Sequence, residues 1–229
     1  MVNERAETSP VCMPADGVML NGDLGMPAAP KGVVLFAHGS GSSRFSQRNR
    51  HVAASLRARG FATLLVDLLT VEEEAVDLRT AEVRFDIGLL ARRVASVVDW
   101  LGRASSTAGL GIGLFGASTG AAAALVAAAE RPAEVQAVVS RGGRPDLAGG
   151  ALPRVQAPTL LIVGGADTLV IDLNQQAFED LRCEREIIIV PRATHLFEEP
   201  GALDQVADLA GHWFEAHVAA RGRAIARAS

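Results

Sequence analysis

The sequence predicts an α/β fold, in which a mostly parallel sheet carries helices on both of its faces. Short apolar runs alternate along the chain with longer segments of helical periodicity, and this alternation is typical of strand–helix–strand units. The residues are 49% hydrophobic, which is enough to supply a sizeable core. Because no Pro- or Ser-rich linker interrupts the 229 residues, we expect residues 1–229 to form a single domain.

Eight strands are expected, and the first two differ from the others. Residues 11–13 and 18–26 are separated by a turn at Asp16-Gly17, so they are predicted to form an antiparallel pair at the edge of the sheet. The other strands are short runs of apolar residues without polar alternation, which indicates burial on both faces. They are predicted at residues 33–37, 61–69, 110–115, 135–140, 158–163 and 187–190.

The segments between the strands carry the spacing and the end signals of helices. Gly60 is suited to end the first helix, because glycine readily adopts the left-handed conformation found after many helices. Apolar residues repeat at helical spacing through the second helix, which predicts a stripe that faces the core. Residues 70–84 are instead expected to form a charged loop, with Glu72–Glu74 as a solvated helical turn. The predicted helices are 50–59, 86–101, 119–130, 146–151, 173–182 and 201–220.

Composition and charge disfavour several classes of protein. The net charge of −4 gives no reason to expect a nucleic-acid partner, and no run reaches the roughly 18 apolar residues of a membrane-spanning helix. The N-terminal MVNERAETSP lacks the apolar centre of a secretory signal. Cys12 and Cys183 do not make a disulfide framework. We therefore expect a cytoplasmic protein, monomeric or homodimeric, without a membrane partner.

The most informative motif is Gly116-Ala117-Ser118-Thr119-Gly120, which lies between a predicted strand and a predicted helix. A sharp turn between strand and helix exposes the serine oxygen above the sheet, and this context gives the motif G-x-S-x-G its catalytic meaning. Side chains at the two glycine positions would clash within so tight a turn. Ser118 is therefore a candidate nucleophile. The alternative is a serine that only caps the helix.

A serine nucleophile needs a base, and an imidazole base needs an anion that orients it. Asp167 and His195 each come shortly after a predicted strand. Loops that follow parallel strands gather at the carboxyl edge of the sheet, so Ser118, Asp167 and His195 are expected to meet there. Asp172 is the rival acid, and Asp167 would then only form a turn after the two glycines that precede it.

At these residues the chain resembles the α/β-hydrolase family, and within it the small lidless members of the dienelactone-hydrolase type. The resemblance runs from about residue 18 to residue 218 and rests on His38-Gly39-Ser40, GASTG, GGAD and ATH in the family's order. It implies an eight-stranded α/β-hydrolase fold without a lid domain. True dienelactone hydrolases carry cysteine where this chain has Ser118, so a general serine esterase is favoured.

The resemblance also implies where the oxyanion of an acyl intermediate would be held. The family takes one oxyanion donor from the loop after an early strand, which here begins at His38. The backbone N–H groups of Ser40 and Thr119 are therefore the implied donors. A phosphate-binding loop is the alternative, but no Gly-Lys-Ser/Thr sequence follows.

Two arginines are candidates for contact with a substrate. Arg44 lies just beyond the loop that begins at His38, and Arg141 follows a predicted strand, so both are expected near the carboxyl edge of the sheet. A guanidinium group can bind a carboxylate in a fork geometry. The alternative is that these arginines are solvated or pair with acidic residues of the protein.

Taken together, these features predict a serine hydrolase of small carboxylic esters or thioesters that forms an acyl-enzyme on Ser118 and needs no metal or organic cofactor. Lactonases of the dienelactone type and peptidases remain open, because fold and nucleophile do not fix the leaving group. A dehalogenase is disfavoured, since it requires a carboxylate at position 118. A non-catalytic binding module on a hydrolase fold is the alternative of another class. The lack of a long insertion predicts an open, shallow cleft suited to short acyl chains.

Overall fold

The fold is built around one eight-stranded sheet in the computed structural model, which describes residues 8–220. Neighbouring strands follow the order β1-β2-β4-β3-β5-β6-β7-β8, with the bounds given below. Only β1–β2 and β2–β4 pair in antiparallel fashion, and the other neighbours are parallel. The strands are β1 (Thr8–Ala15), β2 (Val18–Gly25), β3 (Val33–Ala37), β4 (Ala62–Val66), β5 (Ile112–Ala117), β6 (Val135–Arg141), β7 (Thr159–Gly164) and β8 (Arg185–Val190).

Helices cover both faces of this sheet. Val94 and Leu125 belong to the core on one face, whereas Leu56 and Phe214 belong to the core on the other. The helices are α1 (Gln47–Ala58), α2 (Val71–Thr80), α3 (Ile87–Arg103), α4 (Thr119–Glu130), α5 (Thr168–Asp180) and α6 (Ala202–His217). The predicted fold class, a mostly parallel eight-stranded sheet with helices on both faces, is confirmed, and residues 8–220 include no lid domain. Within residues 8–220, no helix combines the length and the apolar character that crossing a bilayer requires.

Several helix boundaries differ from the prediction, and a side-chain cap explains the first of the differences. The first helix begins at Gln47 because the Ser46 side chain accepts a hydrogen bond from the Asn49 N–H. The fifth begins at Thr168, directly after Asp167, rather than at residue 173. The predicted helix 146–151 is a 3₁₀ segment, Pro145–Arg154, interrupted by the positive φ of Gly149.

The prediction of a loop at residues 70–84 is wrong, because α2 occupies most of this segment and a 3₁₀ turn follows at Val83–Phe85. The helix begins with a capping box, in which Thr70 and Glu73 bond each other's backbone N–H. Its apolar residues, such as Val71 and Leu78, are exposed. The helix therefore shows no apolar stripe, and the stripe is the signal from which helices are predicted.

The Glu73 side chain is not the solvated group that the sequence suggested. It forms two hydrogen bonds with Arg93 of α3, at 2.5 and 2.6 Å, and Arg93 is 1% exposed. Arg93 also donates to the Leu68 carbonyl at 2.6 Å. The hydrogen bond from Arg93 lowers the pKa of the Glu73 carboxyl. This pair fastens α2 to the body of the protein near the carboxyl edge of the sheet.

We expect Glu73→Gln to lower the free energy of unfolding by about 1.5–3 kcal/mol near neutral pH, because it removes charge-assisted hydrogen bonds from a buried cation. Since folding lowers the pKa of Glu73, its contribution is full above the carboxyl's unfolded pKa and is lost as the pH falls through the folded pKa. Denaturant titrations should therefore show the difference from wild type shrinking towards acid. Glu72→Gln, on the exposed side of α2, is the matched control and should change stability little. A deficit that persists at acid pH would contradict this assignment.

Candidate active site

Ser118 lies at the tip of a sharp turn between β5 and α4, in a conformation that few residues other than glycine adopt. Its φ is 51° and its ψ is −124°, a strained combination that costs about 1–3 kcal/mol. The turn is packed so tightly that a Cβ atom at Gly120 would lie 2.2 Å from the Ala37 carbonyl oxygen, and one at Gly116 would lie 2.4 Å from the Ala121 Cα. The two glycines of the motif are thus required by close backbone approach.

The loop after β3 passes directly against Ser118. A Cβ atom at Gly39 would lie 2.8 Å from the Ser118 Cβ. On the other side, the Ser118 carbonyl accepts a hydrogen bond from the Arg144 N–H at 3.0 Å. The strained turn is therefore held between the loops that follow β3 and β6.

The structure joins His195 to Asp167. The Nδ1 atom of His195 lies 2.7 Å from the Asp167 Oδ2, and the side chains are 39% and 17% exposed respectively. Backbone bonds tie their two loops together, since the Ala166 N–H donates to the Ala193 carbonyl at 2.9 Å. This contact is possible because Gly164 leaves room, as a Cβ there would lie 2.4 Å from the same carbonyl oxygen. The imidazole is thus oriented by a carboxylate on a rigid support.

The rival acid, Asp172, lies inside α5 and is exposed. Its carboxylate forms no ion pair or hydrogen bond with His195 in the part of the chain that the structure describes. Asp167, by contrast, stands immediately before α5 and its side chain does not cap that helix. The Asp167 carboxylate is therefore free to hold the imidazole.

The His195 ring lies close to the turn that carries Ser118. A Cβ atom at Gly142 would be 3.7 Å from the His195 Cε1 and 3.0 Å from its carbonyl oxygen. The preceding residue, Arg141, has its carbonyl 3.4 Å from the Ser118 nitrogen. The loop after β6 thus contacts both the His195 loop and the Ser118 turn, while no hydrogen bond within residues 8–220 joins Ser118 to His195 directly.

Ser40 and Thr119, the two predicted oxyanion donors, contact each other, but their backbone N–H groups differ in whether they are already hydrogen-bonded within the protein. Thr119 is the first residue of α4, where a helix leaves its N–H groups without backbone partners. The Ser40 N–H already donates to the Thr119 side-chain Oγ1, at 2.9 Å. Thr119 therefore carries a free backbone donor, whereas Ser40 is bonded within the protein.

His38 fixes the loop that contains Ser40. The His38 side chain is buried, with its Nδ1 2.9 Å from the Gly39 carbonyl, and its Nε2 accepts the Leu68 N–H at 3.0 Å. Burial lowers the pKa of His38, so the ring is neutral at physiological pH and its Nδ1–H is the donor to Gly39. The loop is in this way tied to the segment after β4.

Arg44 is already paired with acidic side chains of the protein. Its guanidinium group forms an ion pair with Asp67 and lies 3.5 Å from an Asp23 oxygen. Its backbone N–H donates to the Asp67 carboxylate at 2.7 Å. The positive charge of Arg44 is therefore compensated internally.

Arg141 has no such compensation. It is 6% exposed, its Nη2 donates to the Asn49 Oδ1 at 3.2 Å, and its Nε finds no hydrogen-bond partner among residues 8–220. Burial, with repulsion from Arg48 as a smaller cause, lowers the pKa of Arg141 to about 10. No carboxylate within residues 8–220 forms an ion pair with it. Arg141 is thus a buried, still protonated cation one residue from the His195 contact at Gly142.

Sequence reasoning missed Asn49, which is 3% exposed and faces Arg141. It lay just outside the predicted helix 50–59, so no inward-facing position was assigned to it. The cap signal at Ser46, three residues before Asn49, would have placed it inside α1.

A cleft of about 520 Å³, open to solvent, lies on the side of the loop that faces α2. Its walls include the loop 38–43, Asp67, Leu69, Glu74 and Leu78. Because Gly39 and Ser40 are shared between this wall and the Ser118 turn, the cleft adjoins the candidate site. No group of three or more His, Cys, Asp or Glu side chains within residues 8–220 is placed to hold a metal ion.

The chain is similar to proteins of the dienelactone hydrolase family, since the sequence model of that family matches residues 20–226. The crystal structure of a dienelactone hydrolase from Anabaena variabilis is 59% identical, with a TM-score of 0.91 over 93% of this chain and 98% of that one. A lidless α/β serine hydrolase from Xanthomonas campestris is 22% identical and shares the fold, with a TM-score of 0.70 over 92% of this chain and 94% of that one. The resemblance seen in the sequence is confirmed.

Two Mycobacterium tuberculosis proteins, from strains CDC 1551 and H37Rv, are 57% identical over 208 residues. Their names describe them as phosphoribosyl transferases. The match covers 91% of this chain and 46% of each of those proteins, so the chain spans about half the length of the curated relatives it matches.

The site geometry predicts different outcomes for the two candidate acids. Asp167→Asn should lower the kcat of ester hydrolysis by up to about 10⁴-fold, because an amide in place of the carboxylate favours the wrong tautomer of His195. Asp172→Asn makes the same chemical change on α5 and should leave kcat close to wild type. Steady-state kinetics on one chromogenic ester, with circular dichroism to verify folding, would measure both. A severe loss in Asp172→Asn with a mild one in Asp167→Asn would identify Asp172 as the acid.

Proposed function

The chain belongs to the dienelactone hydrolase family, and from this premise we propose that it is a serine hydrolase of small carboxylic esters or thioesters. One observation carries the proposal: the 2.7 Å contact between His195 Nδ1 and Asp167, beside a strained Ser118. Acyl transfer requires a nucleophile, a base and an orienting acid, and the contact between His195 and Asp167 supports the proposal that these two residues supply the last two roles.

The proposed reaction begins when Ser118 Oγ attacks the carbonyl carbon of the ester. Because the Nδ1–H of His195 donates a hydrogen bond to the Asp167 carboxylate, the Nε2 of His195 is free to take the Ser118 proton as the new C–O bond forms. His195 then returns that proton to the leaving alcohol or thiol as the old bond breaks. Water, activated by the same imidazole, attacks the acyl-enzyme and releases the acid and Ser118.

The developing oxyanion lies at the first turn of α4 in this proposal. The free N–H of Thr119 donates to it, and the partial positive charge at the helix N-terminus adds to the attraction. The Ser40 N–H was the other implied donor, but its bond to Thr119 Oγ1 keeps it from pointing at the oxyanion directly.

Of the two candidate arginines, Arg141 is the better partner for an anionic substrate. A buried cation without a counter-ion is costly, and a substrate carboxylate near the Ser118 turn would supply that counter-ion. Arg44 has two carboxylates of the protein around it and gains little from a third. We therefore propose that the preferred esters carry a carboxylate close to the scissile carbonyl.

The phosphoribosyl transfer named for the Mycobacterium tuberculosis relatives is a different chemistry. We do not carry it over to this chain, because the chain spans about half the length of those proteins and itself matches the model of the dienelactone hydrolase family. Lactone and peptide substrates stay within the same mechanism, because Ser118 does not select the leaving group.

A fluorophosphonate probe tests the nucleophile, and a panel of short-chain esters, thioesters and lactones tests the reaction. Wild type should be labelled at Ser118 and should hydrolyse members of the panel, because an activated serine attacks both phosphorus and acyl carbon. Ser118→Ala should be unlabelled and slower by on the order of 10⁴-fold or more. Absence of labelling and of turnover in wild type would support a non-catalytic binding module instead.

A pair of esters of equal length, one neutral and one bearing a carboxylate, tests Arg141. Arg141→Met keeps the apolar volume and removes the charge. The kcat/KM for the anionic ester should therefore fall by a factor that corresponds to about 1.5–3 kcal/mol of transition-state stabilisation, the contribution of a hydrogen bond to a charged group. The neutral ester should be hydrolysed at close to the wild-type rate. Arg44→Ala should affect both esters alike. A selective loss in Arg44→Ala, or equal losses in Arg141→Met, would contradict the proposed role.

A further inference from the structure

The Thr119 side chain stands between the loop after β3 and the turn that carries Ser118. Its Oγ1 accepts the Ser40 N–H at 2.9 Å, and the residue is 3% exposed. As an acceptor in that bond, the hydroxyl keeps its own proton for a second partner. No hydrogen bond of the described part of the chain uses that proton.

Thr119 is held in this position from several sides. Gly120 lets the first turn of α4 lie against the Ala37 carbonyl, and Gly39 lets the loop lie against Ser118. A threonine in a helix divides between two side-chain rotamers. The bond from the Ser40 N–H stabilises the one that turns the hydroxyl towards the loop.

The free hydroxyl proton lies next to a group that already has an assigned function. The Thr119 N–H and the Thr119 Oγ1 are separated by only three covalent bonds, so an oxygen atom bound at the N–H is also within reach of the hydroxyl. A hydroxyl that receives a hydrogen bond becomes a stronger donor, because successive hydrogen bonds polarise one another.

We propose that the Thr119 hydroxyl is itself an oxyanion donor, and that the Ser40 N–H acts through it rather than on the substrate. Thr119 then provides the two donors that contact the oxyanion directly, its N–H and its O–H. Ser40 is a positioning residue that polarises the hydroxyl. This inference rests on the proposed serine hydrolase mechanism. No bond is made or broken by the hydroxyl, whose proton stays on Oγ1 throughout.

Two substitutions at position 119 keep the backbone N–H and differ in the hydroxyl. Thr119→Val preserves the branched shape and removes the O–H, so kcat for an ester should fall by about 10²–10³-fold, the usual effect of losing one oxyanion donor. Thr119→Ser keeps the O–H and should restore kcat to within about tenfold of wild type. Melting temperatures of both variants would show that the fold is retained.

A purely structural hydroxyl is distinguished by two kinds of inhibitor. A trifluoromethyl ketone adds to Ser118 and forms an oxyanion, whereas the corresponding secondary alcohol has no carbonyl group and binds without forming one. Thr119→Val should weaken inhibition by the ketone by a factor similar to its loss of kcat/KM, because the donor acts on the charged adduct. Inhibition by the alcohol should be unchanged, and Thr119→Ser should recover ketone binding.

The proposal is overturned if Thr119→Val keeps wild-type kcat or gains activity, since the hydroxyl would then be neutral or an obstacle in the oxyanion site. It is also overturned if inhibition by the ketone and by the alcohol weaken equally, which indicates a loop displaced as a whole. In both cases Ser118→Ala would still abolish turnover, so the serine hydrolase mechanism would stand. Failure of wild type to hydrolyse any ester would instead remove the premise of both proposals.

Discussion

The contact between the first turn of α4 and the end of β3 governs the geometry of this protein. Backbone atoms of Gly120 approach the Ala37 carbonyl so closely that any Cβ would overlap it. This contact places the helix N-terminus at the carboxyl edge of the sheet, directly after Ser118 with its positive φ. The loop after β3 is brought within bonding distance of Thr119 by the same approach. The strain at Ser118 is sustained because the surrounding backbone leaves no alternative path.

Around this edge the charges fall into two groups. Glu73 with Arg93, and Arg44 with Asp67, are compensated pairs that attach α2 and the loop after β3 to the rest of the protein. Arg141 is buried, no carboxylate within residues 8–220 pairs with it, and its hydrogen-bond partner is the neutral Asn49. A buried charge without a counter-ion is costly, whereas the paired arginines are compensated within the protein. Arginines at this edge therefore occupy two different electrostatic environments.

The outer loops of the site are joined by backbone hydrogen bonds rather than by side chains. Gly164 lets the loop after β7 lie against the Ala193 carbonyl, and Ala166 donates to that same carbonyl. The loops that carry Asp167 and His195 are thus joined both by this backbone bond and by the contact between the two side chains. His38 gives the loop after β3 a similar support through Leu68. These contacts connect loops that are far apart in sequence, and acid–base groups need to be held in a defined orientation.

The sequence alone determined the order of most strands and helices along the chain, the turn at Ser118 and the mostly parallel pairing of the strands. It could do so because the spacing of apolar residues and the positions of glycines at turns are local properties of the chain. It missed α2, whose apolar residues are exposed and leave no stripe. It named Asp167 and Asp172 as rival acids, and only the packing of β7 against β8 put one of them beside His195. The sequence also offered no reason to prefer either Arg44 or Arg141 as the residue that contacts a substrate. Which arginine meets a carboxylate, and which N–H is already bonded, depends on residues far apart in sequence, so only the tertiary structure decided those partners.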